Sequence, residues 1–296
     1  MNPIHLLVNP LAGRGRGIAY LEAVVEGLRS NGRDVIVLRT ESAGHARTLV
    51  AAVPDGGTVV AMGGDGTAHE LLPACLARDL RLGVVPAGSG DDFAFALGIG
   101  RTDPAAAVAT VLGGRERRID VGLVNGEPFV NAFGTGFDAD VARRVLAAPR
   151  QLRGLGRYLY GILSAMRAFH LAEARLELDD GSGRRLAFEG RSLLVTVQNG
   201  PRGGGSFLFA PGAALDDGAF DVLVAGEFGR LGTLGILPRV MRGAHEGHPR
   251  IWRFAARALT LTWSRPMAAH AEGEPLPAEA RYEVSLRPRA LRVLAP

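Results

Sequence analysis

Thr58-Val-Val-Ala-Met-Gly-Gly-Asp-Gly-Thr-Ala-His-Glu70 reads as a buried strand, a three-glycine turn and a helix start. Val59 to Met62 is apolar and partly β-branched, as a strand buried on both faces requires. Gly63, Gly64 and Gly66 permit close backbone approaches that a Cβ would block. Thr67 and Glu70 stand at capping-box spacing, which predicts that the helix begins there. Amide groups of such a turn can face a phosphate, and Asp65 within it offers a carboxylate for an accompanying Mg²⁺. The competing reading is a plain βα turn with Asp65 as a turn former. The surrounding sequence decides between them.

The same alternation of strand and helix runs through roughly the first 100 residues, which argues for a parallel sheet covered by helices. Ile4–Val8, Val35–Leu38, Val59–Met62 and Leu82–Val85 are the expected strands. Helices are expected over Ile18–Arg29, from about Gly44 to Ala52, and after the Gly63 turn. Three polar turns, Asn9–Gly13, Gly63–Thr67 and Gly88–Asp92, fall at the carboxyl ends of strands, where ligands gather in such folds. From Ile119 onward, short strand-like runs dominate, punctuated by Asn125-Gly126 and Asp180-Gly181. One helical segment, about Asp140 to Phe169, interrupts them. The expected division is an α/β domain over 1–118, joined by 288–296, and a β-sandwich domain over 119–287.

With 296 residues the chain exceeds ordinary single-domain length, so two domains are the default. The single cysteine, Cys75, lies in a helical pattern, which excludes an internal disulfide and reads as a small core residue. The sequence contains no lysine; all 34 basic residues are arginine. A Walker-type phosphate loop and Schiff-base chemistry are therefore excluded. The charge of +4 is modest and dispersed, which suits anionic ligands or an anionic membrane surface better than a nucleic acid. No apolar run approaches the ~18 residues of a membrane-spanning helix, and the N-terminus lacks the pattern of a signal peptide. The cytoplasm is the expected compartment.

Other motifs admit two readings each. Asn9-Pro-Leu-Ala-Gly-Arg-Gly-Arg-Gly17 suits a phosphate cradle or a flexible loop. Pro86-Ala-Gly-Ser-Gly-Asp-Asp-Phe-Ala94 carries a hydroxyl and two carboxylates; Asp91 could cap a helix, and Asp92 could join Asp65 around Mg²⁺. Gly134-Thr-Gly-Phe-Asp-Ala139 matches a dinucleotide pattern but lacks the following acid, and is rejected. Leu215-Asp-Asp-Gly218 is a hairpin turn or a metal loop, and Ala269-His-Ala-Glu-Gly-Glu-Pro275 an exposed turn or the seat of a general base. His245 and His248 show no convincing metal-ligand spacing.

Taken in order, the landmarks resemble the diacylglycerol kinase catalytic family, which includes bacterial soluble lipid kinases and sphingosine kinase relatives. They are Asn9-Pro-x-x-Gly13, Thr40, Gly63-Gly-Asp-Gly-Thr67, Pro86-x-Gly-Ser-Gly-x-Asp-Phe93, Asn131 with Gly136-Phe-Asp138, Asn199 with Gly203-Gly-Gly205, Ala210-Pro211, Asp217-Gly218 and Gly273-Glu274. The resemblance implies a Rossmann-like nucleotide-binding domain followed by a β-sandwich domain, with the active site in the interdomain cleft. It implies transfer of the ATP γ-phosphate to a lipid hydroxyl, with diacylglycerol the expected acceptor. Asn9, Pro10, Gly13, Thr40, Gly63, Gly64, Asp65, Gly66, Thr67 and Ser89 would contact ATP. Asp65 and Asp92 would organise a catalytic Mg²⁺, and Asp217 with the carbonyls of Ala214 and Ala219 a structural one. Glu274 would match the proton acceptor, with Glu272 beside it. The chain departs from the family pattern at His69, Ser89, Asp91 and Glu272. Expected partners are the lipid and, peripherally, an anionic membrane surface met by the arginine-rich, apolar segment Gln151–His170, flanked by Arg150. No nucleic acid is expected, and a homodimer is left open. An NAD kinase-like enzyme and a catalytically silent lipid- or nucleotide-binding protein are the rival readings.

Overall fold

The computed structural model describes residues 3–30, 32–100, 103–149, 151–152, 155–168 and 170–296. Two compact units divide the chain: Met1–Val121 with Pro288–Pro296, and Gly122–Arg287.

The first unit contains β1 (Ile4–Val8), α1 (Arg16–Arg29), β2 (Val35–Arg39), α2 (His45–Leu49), β3 (Thr58–Gly63), α3 (Asp65–Ala77), β4 (Arg81–Pro86), α4 (Asp92–Ala96) and α5 (Pro104–Gly113). The strands are parallel in the order β4-β3-β1-β2. β1 and β3 are buried from end to end, which accounts for their unbroken apolar runs. Chain order reverses between β1 and β3, so the loops after these strands border the switch point of the sheet. β5 (Arg115–Val124) then leads into the second unit.

The second unit continues with β6 (Glu127–Phe129), β7 (Ala132–Gly136), α6 (Phe137–Leu146), α7 (Leu155–Ala168), β8 (Ala172–Asp179), β9 (Arg185–Ser192), β10 (Leu194–Gln198), β11 (Phe220–Ala225), α8 (Arg230–Met241), β12 (Ile251–Ala256), β13 (Ala258–Ala271) and β14 (Glu274–Ala295). Its strands run antiparallel in the order β12-β11-β10-β7-β13-β14, with β8 and β9 added beside β13. Irregular register between Thr262 and Ala269 lets β13 pair with β8 early and with β7 late. The Tyr282 hydroxyl pins that irregularity, donating to the Met267 carbonyl at 2.8 Å. Two cores flank the central strands. Phe220, Val222 and Val224 of β11 enter a sandwich core with Phe129, Phe133, Trp263 and Tyr282. Leu223 and Ala225, one residue out of phase, face α6, α7 and α8 instead. Both faces of β11 are covered, so its sequence lacks polar alternation.

The last residues of β14 lie in the first unit, where Arg292 and Val293 pair in parallel with Arg81 and Leu82 of β4.

Several local expectations change. α3 begins at Asp65 with Gly64 as its cap, and the Thr67–Glu70 capping box does not form. Glu70 instead accepts the Gly44 and Ala46 amides at 2.8 and 3.0 Å, tying α3 to the start of α2. The single helical excursion is two helices, α6 and α7, and α8 adds a third. Leu215–Gly218 is no hairpin: β10 and β11 pair through a long connection, and these residues belong to it. Cys75 is buried, and desolvation pushes its thiol up to about 12. No helix among the described residues is long and apolar enough to cross a membrane.

Candidate active site

In the first unit, β-sheet register brings the glycine turns together. Gly63 at the end of β3 pairs with Pro86 at the end of β4, and the Ala87 amide continues the ladder to the Gly63 carbonyl at 2.8 Å. A Cβ on Gly88 would stand 2.5 Å from the Gly64 Cα. One on Gly13 would stand 2.0 Å from the Ala87 carbonyl oxygen, and Gly13 has φ +53°. Glycine is required at these positions because three loops converge where side chains have no room. Arg16 adds a guanidinium that donates to the Gly88 carbonyl.

The polar groups follow the same convergence. Asn9 reaches the Thr67 hydroxyl at 3.4 Å, while its Oδ1 accepts the Leu11 amide at 3.0 Å; Pro10 lies between those ends. Thr40, after β2, is buried, and its amide donates to the Val8 carbonyl at 2.9 Å. Asp65 Oδ1 accepts the Phe93 amide at 2.9 Å, so the carboxylate of the first turn caps the helix of the second. That bond places Asp65 against the first turn of α4, which also contains Asp92. Gly66 occupies the opening turn of α3, and Ser89 is an exposed residue of the turn before α4. Asp91 is buried with φ +53°, and its Oδ1 accepts the Gly88 amide at 2.8 Å. It does not cap α4 through its side chain; its charge is spent on shaping the loop.

In the second unit, Glu272 and Gly273 form the two-residue turn joining β13 to β14, with φ +55° and +82°. Both values are positive, as a type I′ turn requires, and Glu272 carries strain that glycine would not. Two bonds offset it: Glu272 Oε1 accepts the Val130 and Asn131 amides, each at 2.7 Å. Glu274, the first residue of β14, is exposed. The two acids thus differ sharply: one is anchored to backbone, the other stands at the surface. Asn131 and Asn199 brace the same region by donating to the Arg202 and Val130 carbonyls at 2.8 and 2.7 Å.

Asp217 is exposed and accepts the Ala219 amide at 3.1 Å in the connection that also carries Ala214. Among the described residues, no cluster of three or more His, Cys, Asp or Glu side chains could hold a metal. His245 is buried on the Phe209 carbonyl at 3.1 Å, and His248 Nδ1 accepts the Arg250 amide, so they do not act as a pair. The sequence reading overlooked His270. Its Nε2 lies 3.0 Å from Asp138 Oδ1, and its Nδ1 accepts the Gly273 amide at 3.1 Å. The signal was present in Gly134: a Cβ there would meet Asp138 and His270 at 2.4 and 2.5 Å.

The Diacylglycerol kinase catalytic domain profile matches residues 3–124, and that of the YegS C-terminal NAD kinase beta sandwich-like domain matches residues 131–295. A protein named "Probable lipid kinase YegS-like" from Pseudomonas aeruginosa is 33% identical over 97% of this chain and 93% of its own. The chain belongs to the diacylglycerol kinase and YegS-like lipid kinase family. Among other relatives of this lipid kinase family member, a protein named diacylglycerol kinase from Mycobacterium tuberculosis is 32% identical over 98% of this chain and 94% of its own. A crystal structure titled as a diacylglycerol kinase from Bacillus anthracis superposes with a TM-score of 0.72 at 20% identity, covering 100% of this chain and 97% of that one. That likeness establishes the fold: an α/β domain followed by a β-sandwich domain.

Proposed function

We propose that this protein transfers the γ-phosphate of ATP to the hydroxyl of diacylglycerol, giving phosphatidic acid. The observation that carries the reading is the convergence of three glycine turns at the sheet's switch point, with Asp65 tied to the turn that bears Asp92. The turns form a cradle that any Cβ would fill, which suits the close approach of a polyphosphate. Asn9, Pro10, Gly13, Thr40, Gly63, Gly64, Asp65, Gly66, Thr67 and Ser89 would contact the nucleotide. Asp65 and Asp92 are hard oxygen donors suited to Mg²⁺, which neutralises charge on the transferring phosphoryl group when bound. Asp217, with the Ala214 and Ala219 carbonyls, would hold a structural Mg²⁺.

Phosphoryl transfer depends chiefly on positioning and electrostatics, so arginine and backbone amides can serve without lysine. Glu274, exposed at the start of β14, would take the proton of the attacking hydroxyl. Glu272, held by two amides, would position it. Acceptor access would be peripheral: Leu159, Tyr160 and Leu163 are exposed on α7, while Ile162 and Ala165 bury its other face. Arg167 of the same helix supplies positive charge for an anionic surface; Arg150 and Arg153 lie outside the described residues. No binding to anionic vesicles in flotation would refute that contact.

The deciding experiment measures ATP consumption with Mg²⁺ over dispersed diacylglycerol, monoacylglycerol, ceramide, sphingosine, undecaprenol and NAD⁺. Turnover on diacylglycerol is expected. Turnover on NAD⁺ alone would replace the reading with an NAD kinase-like one, and nucleotide binding without turnover would replace it with a silent binder.

A further inference from the structure

His270 sits at a junction that neither nucleotide cradle nor acceptor contact explains. It is the penultimate residue of β13, opposite Gly134 of β7. Its ring links the first turn of α6, through Asp138, to the turn that precedes Glu274, through the Gly273 amide. Because a backbone N–H can only donate, Nδ1 must be the acceptor nitrogen in this arrangement, and the proton lies on Nε2, toward Asp138. The side chains of the pair are 13% and 12% exposed, so the link is built largely in the protein interior. The space above Gly134 is filled by the pair, which explains a glycine that the rejected dinucleotide pattern did not.

We propose that Asp138 and His270 are positioning residues for the general base: they hold the Glu272–Gly273 turn, and through it Glu274, in the geometry that accepts the hydroxyl proton, and protonation of His270 breaks the Gly273 bond and releases that geometry. The proposal rests on the lipid kinase reading above. Gly273 has φ +82° and Glu272 φ +55°; the strain falls on Glu272, a non-glycine residue at positive φ, and side-chain bonds to the turn offset it. Glu272 supplies one anchor, on the Val130 and Asn131 amides, and His270 supplies another, on the Gly273 amide.

The charged groups facing the ring are Asp138 from α6 and Glu272 and Glu274 from its own hairpin; β7 presents Gly134. Burial pulls the imidazole down, but the charge and hydrogen bond of Asp138, with the two glutamates, outweigh it and raise His270 above its ordinary 6.5. Protonation is thus reached at a higher pH than for an ordinary histidine. The imidazolium would keep Asp138 and lose Gly273, whose N–H would then face a second N–H. Activity should fall on the acid side as His270 protonates, well before a carboxylate base would itself be neutralised.

The test uses the full chain. In ¹⁵N NMR titration, the His270 ring and the Gly273 amide should move with one midpoint, and Asp138→Asn should lower the midpoint of both. In kinetics on the phosphorylated lipid, the acid limb of kcat should follow that midpoint, shift to lower pH in Asp138→Asn, and retreat to the carboxylate range in His270→Asn, whose amide oxygen can accept from Gly273 without titrating. His270→Ala should lower kcat by about 10²-fold, the scale of a small misplacement of catalytic groups, with KM for ATP unchanged. ATP binding by calorimetry verifies that each variant is folded. A Gly273 amide that ignores His270, or a His270→Asn acid limb identical to the wild type, would overturn the proposal. Absence of turnover on every lipid would refute the kinase reading and the catalytic role with it, while the NMR titration alone decides the link between His270 and the turn.

Discussion

Two glutamates separated by one glycine illustrate how much a single side chain's surroundings decide. Glu272 spends Oε1 on two backbone amides at 2.7 Å, while Glu274 stands exposed at the strand start. Charge-assisted bonds of this kind stabilise by about 1.5–3 kcal/mol each where the donors would otherwise go unpaired. Glu272→Ala should therefore lower stability by about 2 kcal/mol or more in denaturant melts, whereas Glu272→Gln, which keeps an acceptor oxygen, should lose much less. Glu274→Gln should lower the melt less than Glu272→Ala and lower kcat by about 10²–10⁴-fold, the range of a lost general base. Equal kcat losses in Glu272→Gln and Glu274→Gln would show that the assignment of roles is wrong. Asp138 and His270 add a pH dependence of stability with a definite sign. His270 is raised in the fold, so its contribution is complete below 6.5 and fades as pH rises through the folded value. The gap in melting temperature between wild type and Asp138→Asn should accordingly be wider at pH 6 than at pH 9, checked by melts across that range.

At the scale of elements, the glycine turns show which parts of the sequence could be read and why. Gly63-Gly-Asp-Gly66 announced a turn after a buried strand, because glycine and an apolar run are local signals. That the turns of Gly13, Gly63 and Gly88 share one end of the sheet is legible from the alternation; the contacts of Gly13 with Ala87 and of Gly88 with Gly64 are not, because these partners are distant in sequence. Glu70 misled for the same reason: its spacing suits a capping box, but the better-placed donors belong to α2. β9, β12 and α8 escaped notice through weak local patterns. β9 alternates between exposed and half-buried positions up to its buried last residue, the polar Ser192, β12 carries Arg253 mid-strand, and α8 contains Gly232, Gly235 and Pro238. α5 had a legible start, with Asp103 capping the Ala106 amide and Pro104 in its first turn. The His270–Asp138 link spans 132 positions and leaves no periodic trace. The glycine packing makes a graded prediction. Gly13→Ala would place a Cβ 2.0 Å from a backbone oxygen, at positive φ, whereas Gly15→Ala meets nothing within 4 Å and carries only the φ cost. Gly13→Ala should abolish nucleotide binding in calorimetry, and Gly15→Ala should bind within severalfold of the wild type; comparable losses would mean that the cradle is not built by these contacts.

For the whole molecule, the decisive fact is that the first unit is discontinuous: it holds Met1–Val121 and the closing Pro288–Pro296. The closing segment is not an ornament. Leu291, Val293 and Ala295 are each 0% exposed, and Arg292 binds Glu116 through two bonds of 2.8 and 2.7 Å and Asp79 at 2.9 Å. Burial of a leucine and a valine stabilises by about 1.5–3 kcal/mol each, and the lost β4 pairing adds to that. The sum approaches the whole margin of a domain, about 5–15 kcal/mol. The unit that holds the glycine turns therefore draws on residues synthesised well after its first 121, and cannot complete its sheet until Pro288–Pro296 have been made. A chain ending at Ala290 should show a lower melting temperature and lose ATP binding in calorimetry, although every cradle residue is present. Arg292→Ala, which keeps the apolar pairs, should fall between the truncated and full chains, because an exposed ion pair contributes less than buried apolar area. Its deficit should shrink on acidification as Glu116, held below its ordinary value mainly by the Arg292 hydrogen bond, becomes protonated in the full chain as well. Unchanged ATP affinity in the truncated chain would show that the first unit closes without its last strand, and that the cradle is assembled by the N-terminal residues alone.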